Sequence, residues 1–152
     1  MRKHCPEADV VQVFEESLPR WRFHMGTAFS LVRLWTPQRL GWQGRAIYLD
    51  SDMIVFRSVR ELWEIPMEGA AVLRPPNQTA VLVLDCERLR TWEMRRIEDD
   101  VRAGHLTDFD ALWKLPRVDA GAHIAMRIPA AWNVLDRWTP DTALLHYTLL
   151  ST

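Results

Sequence analysis

Short apolar runs recur along the chain and are separated by segments of helical periodicity. Each run is four or five residues long and rich in aliphatic side chains, the pattern typical of a largely buried strand. They occur at residues 10–14, 46–49, 70–73, 80–84 and 143–147. Strands that alternate with helices predict an α/β domain with an open, mostly parallel sheet covered by helices. In such a sheet, ligands gather at the carboxyl ends of the strands.

Helical periodicity fills the segments between these strands. One helix is predicted from Thr27 until Pro37 ends its pattern, and residues 1–5 are expected to end another. A longer helix follows Asp85, which is placed to cap it, and Gly104 closes it. The inward face of this helix carries Leu89, Trp92, Ile97 and Val101.

Composition narrows the class of protein. The 152 residues are 48% hydrophobic and 26% charged, which fits a single globular domain over residues 1–152. A net charge of -1 gives no electrostatic basis for binding nucleic acid. No apolar run has the length of a transmembrane segment. Cys5 and Cys86 are too far apart for a redox pair or a zinc frame, so we expect reduced thiols and a cytoplasmic protein.

The strongest candidate chemistry lies at Asp50 and Asp52, which directly follow the strand at 46–49. Two carboxylates at this spacing can reach one cation if the backbone turns. Burying both charges is costly unless a cation compensates them. We therefore expect an interior strand whose two acids point into a cleft and bind a metal. A solvated turn remains the alternative for the triplet taken alone.

The surroundings of this triplet resemble glycosyltransferase family 8, in which an apolar-Tyr-Leu-Asp-x-Asp strand is followed by apolar residues and a Leu-Trp segment. The family also has an aromatic-x-x-x-Arg-Leu helix before this strand, a later Pro-x-x-Trp-Asn segment, and a strand whose His completes the metal site. The resemblance spans residues 27 to 148. The residues that match these motifs are Ala46-Ile47-Tyr48-Leu49-Asp50-Ser51-Asp52-Met53-Ile54-Val55, Leu62-Trp63, Phe29 to Leu34, Pro129 to Asn133 and Leu145-His146-Tyr147.

The resemblance implies a GT-A fold, which is Rossmann-like with a mostly parallel sheet. It implies a metal-dependent, retaining hexosyltransferase that moves a sugar from a nucleotide-diphosphate sugar to a hydroxyl of a carbohydrate or other acceptor. A UDP-sugar is the expected donor. Asp50, Asp52 and His146 would hold Mn²⁺ or Mg²⁺, the ions that suit two carboxylates and an imidazole. Arg33 would contact the donor, with Ser51 and Gln78 as further substrate contacts.

Two blocks depart from the family pattern. Gln78 stands where the family has Asn, and Phe109 replaces the Gln of an Asp-Gln-Asp block. Because the family's Gln is missing, Asp108 or Asp110 becomes the catalytic candidate expected to contact the sugar. Either acid could instead cap a helix. These departures favour a rival interpretation, a noncatalytic carbohydrate- or nucleotide-binding module. A metal-dependent phosphoesterase would need a second metal cluster, and the sequence offers no grouping of that kind.

Family 8 domains begin with a strand that supports the base and continue beyond the metal-binding His into a segment that touches the diphosphate. This chain starts at Met1-Arg2-Lys3-His4 and ends at Leu149-Leu150-Ser151-Thr152. The comparison predicts a partial domain with weak donor binding and self-association through exposed sheet edges. Among the eight tryptophans, Trp42 and Trp138 lie near turns and are the candidates for stacking on sugars.

Overall fold

The computed structural model describes residues 9–13 and 28–148. The helix expected in residues 1–5 lies outside this part of the chain. The strand predicted at 10–14 is wrong for its described residues 10–13, which have no regular secondary structure. Val11 is 57% exposed, and no described strand pairs with this segment, so no hydrogen-bond ladder stabilises an extended strand there.

The first described helix begins as a 3₁₀ turn at Ala28–Leu31 and continues as α1 (Val32–Arg39). Pro37 lies inside α1 instead of ending it, which corrects the predicted boundary. A proline near the end of a helix removes one N–H and leaves most of the ladder intact. The helix ends at Arg39 and is followed two residues later by Gly41, whose φ of 64° belongs to the left-handed region that glycine adopts readily.

Within residues 28–148, seven short strands form two sheets. The first sheet has the order β1-β4-β3-β5 and the second β2-β7-β6. The strands are β1 (Arg45–Leu49), β2 (Met53–Val55), β3 (Ala70–Leu73), β4 (Val81–Asp85), β5 (His123–Ala125), β6 (Val134–Leu135) and β7 (Leu144–His146). The strands predicted at 46–49, 70–73, 80–84 and 143–147 are thus confirmed within a residue or two at each end.

The directions of the strands differ from the prediction. β1–β4, β4–β3 and β2–β7 are antiparallel, and only β3–β5 and β6–β7 are parallel. The expected mostly parallel sheet is therefore wrong for the described strands, because apolar runs report burial on both faces and carry no information on direction. β1 lies at the end of its sheet among these strands, whereas an interior position was expected.

The remaining helices are α2 (Arg60–Trp63) and α3 (Met94–Arg102), with 3₁₀ turns at Cys86–Arg88 and Ala130–Asn133 and a π-helical turn at Asp110–Lys114. The helix predicted after Asp85 is therefore divided. Asp85 makes no capping hydrogen bond, and its carboxylate instead lies 3.3 Å from Arg88 Nε. Gly104 closes α3 as predicted, with a φ of 74°.

The hydrophobic core lies on both faces of the first sheet. Along β4, Leu82 and Leu84 pack with residues of α1 and α3, whereas Val81 and Val83 pack with α2 and the second sheet. The predicted α/β class, with helices flanking the sheets, is confirmed. No helix among the described residues is long and apolar enough to cross a membrane.

Candidate metal and donor site

The Asp50-Ser51-Asp52 turn is the point where the chain passes from one sheet to the other. β1 of the first sheet ends at Leu49, and β2 of the second begins at Met53. The Asp50 N–H donates to the Ala80 carbonyl at 3.0 Å, which continues the β1–β4 ladder by one residue. The turn is thus anchored to the first sheet on one side and leads into the second on the other.

The pairing of β2 with β7 brings His146 to this turn. Met53 lies opposite His146 in the antiparallel register, and the Tyr147 N–H donates to the Asp52 carbonyl at 2.9 Å. His146 Nε2 is 3.3 Å from Asp52 Oδ1 as a result. Residues almost a hundred positions apart along the chain thus become neighbours through a single strand pairing.

Asp50, Asp52 and His146 each offer one ligand atom, and these three atoms lie within 4.8 Å of one another. Ligand atoms that surround one ion at about 2.0 to 2.4 Å are separated by up to nearly this distance, so the three groups fit a single divalent cation. Two carboxylate oxygens and one imidazole nitrogen form a donor set suited to Mg²⁺ or Mn²⁺. Asp52 is exposed, Asp50 is half-buried and His146 is buried, so the cluster reaches from the protein interior to its surface.

The orientation of the His146 ring favours metal binding through Nε2. Its Nδ1 lies 3.0 Å from Oδ1 of Asn133, which is buried at the end of the 3₁₀ turn preceding β6. With the Asn133 oxygen as acceptor, Nδ1 carries the proton and Nε2 keeps its lone pair. This hydrogen bond to the far ring nitrogen is a common way of fixing the tautomer of a metal-ligating histidine.

Asp50 is held by two side chains, Arg33 and Tyr48. Arg33 Nη2 lies 3.2 and 3.3 Å from its two oxygens, and the Tyr48 hydroxyl donates to Oδ1. Burial raises the pKa of Asp50, while Arg33 and the Tyr48 hydrogen bond act in the opposite direction. Burial also raises the pKa of Tyr48, as does the Asp50 charge, so the phenol keeps its proton and can donate it.

The same arginine links the acid to the other wall of the site. Arg33 Nη1 donates to Thr79 Oγ1, and Thr79 Oγ1 donates to the Leu112 carbonyl at 3.1 Å. Arg33 and Thr79 are both buried. A hydrogen-bonded chain therefore runs from Asp50 through Arg33 and Thr79 to the turn at Asp110–Lys114.

A cleft of about 290 Å³ opens between these elements. Asp50 lines this cleft together with Arg33, Gln78 and His146, which were also predicted to bind the metal or the donor. The structure therefore brings these four residues together at one site. Ser51 and Asp52 are exposed in the turn and are not among the lining residues, so of the two acids expected to point into a cleft only Asp50 lines it. The complete lining is Ser30, Arg33, Asp50, Gln78, Thr79, Ala80, Phe109, Leu112, Trp113 and His146.

The two acids predicted to be catalytic do not line this cleft, although Phe109 between them does. Asp110 pairs with Lys114 at 2.8 Å, and its N–H donates to Thr107 Oγ1 at 3.0 Å. The hydrogen bond from Lys114 lowers the pKa of Asp110. Asp108 Oδ1 is buried without a hydrogen-bond partner among the described residues. Catalytic roles for these two acids remain predictions.

Three polar residues of the site were given no role by sequence reasoning. Tyr48 was quoted only as part of the matched strand, although positions i and i+2 of a strand share a face and Tyr48 precedes Asp50 by two. Thr79 adjoins Gln78, which the sequence already singled out. Asn133 was quoted only as the last residue of the Pro-x-x-Trp-Asn match, and its contact with His146 arises from the packing of a 3₁₀ turn against β7.

Neither of the proposed stacking tryptophans lines the cleft. Trp42 sits in a tight turn with a φ of 53° and a buried indole N–H that lacks a partner among the described residues. Trp138 is 53% exposed and contacts Phe56, with ring centroids 6.3 Å apart. The aromatic side chains that do line the cleft are Phe109 and Trp113.

No family model matches the chain, and no curated protein matches it in sequence. Solved structures do resemble it. An active-site mutant of LgtC superposes with a TM-score of 0.56 at 12% identity, over 90% of this chain and 64% of that one. The galactosyltransferase LgtC in complex with donor and acceptor sugar analogues gives 0.52 at 12% identity, over 88% and 62%. The apo form of the glycosyltransferase GlyE from Streptococcus pneumoniae TIGR4 gives 0.51 at 14% identity, over 83% and 39%.

The chain thus spans less than two thirds of the length of each of these three structures. At this level of identity the likeness concerns the path of the backbone, and it covers most of the present chain. The chain has the GT-A-like fold of these glycosyltransferases.

Proposed function

We propose that the chain belongs to a metal-dependent glycosyltransferase that takes a sugar from a nucleotide-diphosphate sugar, a UDP-sugar in the first instance, and passes it to an acceptor hydroxyl. The observation that carries the proposal is the cluster of Asp50, Asp52 and His146, whose ligand atoms lie within 4.8 Å of one another at the edge of a cleft. The fold adds support, because LgtC, which has a similar fold, binds donor and acceptor sugar analogues.

Asp50, Asp52 and His146 would hold Mn²⁺ or Mg²⁺. When bound there, such a cation supplies positive charge that stabilises a departing diphosphate. Arg33 fixes Asp50 and contributes a permanent positive charge to the cleft wall, which favours an anionic donor. The half-buried amide of Gln78 lines the cleft and offers both a donor and an acceptor to sugar hydroxyls. Ser51 remains a proposed contact from the sequence.

Transfer with retained anomeric configuration is the further step of the proposal, with Asp108 or Asp110 in contact with the sugar. A noncatalytic carbohydrate- or nucleotide-binding module is the second candidate. One observation favours it: Phe109 lines the cleft, whereas the neighbouring acids Asp108 and Asp110 do not. The transferase requires metal-dependent binding and turnover of a nucleotide sugar, whereas the module requires binding of a nucleotide sugar or a carbohydrate without turnover.

The test is release of nucleoside diphosphate from a panel of UDP- and GDP-sugars, with Mn²⁺ or with a chelator, and with and without added glycoside acceptors. Donor binding is measured in parallel by calorimetry. Asp52→Asn should abolish the metal-dependent signal. Asp85→Asn is the matched control, since Asp85 lies at the opposite end of β4 from the cleft and pairs with Arg88. Binding without release selects the module. Absence of metal-dependent donor binding contradicts the transferase, and absence of binding to every nucleotide sugar and glycoside contradicts both candidates.

A further inference from the structure

Two aromatic rings stand exposed on one wall of the cleft. Phe109 is 52% and Trp113 is 51% exposed, and their rings stack with centroids 6.0 Å apart and planes inclined by 27°. Both line the same cleft as Asp50 and His146. Leaving two large rings half in water forgoes the stabilisation that burial would give them. Contiguous exposed apolar surface inside a cleft is a common mark of a binding site.

The turn that carries the two rings is anchored from several sides. Thr79 Oγ1 donates to the Leu112 carbonyl at 3.1 Å, and Arg74 Nη1 donates to the Trp113 carbonyl at 3.3 Å. Leu112 itself is buried in the core. The rings therefore project from a fixed piece of backbone, and a ligand that stacks on them pays little to order the protein side.

We propose that Phe109 and Trp113 form a stacking platform for a pyranose ring of the acceptor. A pyranose presents a face of C–H groups that packs on an aromatic plane, while its hydroxyl groups remain at the rim to make hydrogen bonds. The proposal rests on the proposed transferase function and extends it, because it assigns the acceptor to a class, a sugar, and gives it a place in the cleft.

Charge separates this platform from the donor position. The diphosphate belongs at the cation ligands and Arg33, which carry the ionised groups of the cleft wall. Phe109 and Trp113 carry no charge and are more than half open to solvent. A neutral ring that arrives from solution can therefore stack on them without displacing a donor already held at Asp50 and His146.

A second exposed aromatic pair serves as a control. Phe56 and Trp138 are 40% and 53% exposed, but their planes are tilted by 54° and neither lines the cleft. Trp138→Ala therefore removes an exposed tryptophan of nearly the same exposure as Trp113 without touching the platform.

The experiment is saturation-transfer NMR with methyl β-D-galactopyranoside, methyl β-D-glucopyranoside and methyl α-D-mannopyranoside, in the presence of UDP and Mg²⁺. This measurement detects weak ligands and reports which ring protons face the protein. Wild-type protein should bind one or more of the glycosides, with strongest saturation on one C–H face. Phe109→Ala or Trp113→Ala should weaken binding about tenfold, an effect of the size of an aromatic stacking contact. Trp113→Phe should retain most of the binding, and Trp138→Ala should leave it unchanged.

Calorimetry of UDP with Mg²⁺ on the same variants provides the second readout, and thermal unfolding shows that each is folded. UDP affinity should be the same in all of them. The proposal is overturned if no glycoside binds the wild type, if Trp138→Ala weakens binding as much as Trp113→Ala, or if Trp113→Ala weakens UDP as much as the glycoside. Wild-type protein that binds a glycoside through Trp113 but does not bind UDP would contradict the proposed transferase function, and with it the acceptor role of the platform. That result differs from a loss of stacking, in which UDP binds and the glycoside does not.

Discussion

Arg33 Nη2 lies 3.2 Å from one carboxylate oxygen of Asp50 and 3.3 Å from the other, so a guanidinium faces the acid that is also a candidate metal ligand. The side chains are only 10% and 22% exposed. In the protein without metal, this contact compensates a charge that burial disfavours. The contact therefore couples the stability of the fold to the occupancy of the site.

Replacing Arg33 by Ala should destabilise the metal-free protein by about 3 kcal/mol, because a largely buried carboxylate is left without its partner. Adding Mn²⁺ should recover part of this loss, since a cation at Asp50 compensates the same charge. Urea unfolding with and without Mn²⁺ measures both effects. Arg57→Ala is the control, since its exposed pair with Glu61 should contribute less than about 1 kcal/mol and show no metal dependence. Equal losses in the two variants would contradict the role given to Arg33.

Asn133→Ala should weaken Mn²⁺ binding by about 10- to 100-fold, although Asn133 is not itself a ligand in the proposed site. The physical reason is that His146 loses the hydrogen bond that fixes its ring and tautomer. Calorimetric titration of the metal into the folded variant measures the change. Gln43→Ala, which removes an exposed amide outside the cleft, is the matched control. Unaltered affinity in Asn133→Ala would mean that His146 does not bind the metal.

Cys86 should be unreactive in the native protein. Its side chain is fully buried, and burial, with a smaller effect of Asp85, raises its pKa from 9.0 to about 11. In a Cys5→Ser variant, Ellman's reagent at pH 8 should therefore react only after denaturation. Because the folded state holds this proton more tightly, the associated stability is present below pH 9 and is lost as the pH rises toward 11. Rapid reaction of the native thiol would contradict the burial of Cys86.

The sequence predicted the strands well because their signal is local. Runs such as 46–49 and 80–84 are apolar at every position, and a short run of this kind is sufficient to predict a strand that is buried on both faces. Strand direction depends on how the connecting segments cross, and no single run records that. The predicted helix after Asp85 was divided because Leu89 and Trp92 are buried in a loop, where they satisfy the same apolar spacing as a helix would.

From the residue pattern alone, the candidate site was predicted only at Asp50 and Asp52, which directly follow a recognisable strand. The roles of His146 and Arg33 came from the family resemblance and not from any property of their own strand or helix. Phe109 was noted only as a departure from the family pattern, and neither it nor Trp113 was expected to bind a sugar. Aromatic side chains are usually buried, and the exposure of these two depends on an irregular π-helical turn that no periodicity predicts.

The central claim is that Asp50, Asp52 and His146 form one metal site on which the nucleotide depends. The most direct test is calorimetric titration of UDP into the protein with Mn²⁺ and again with a chelator, for wild type and for His146→Ala. The account predicts binding by the wild type only with Mn²⁺, and loss of most of that binding in His146→Ala. UDP binding of equal affinity in the presence of chelator, or in the His146 variant, would contradict it.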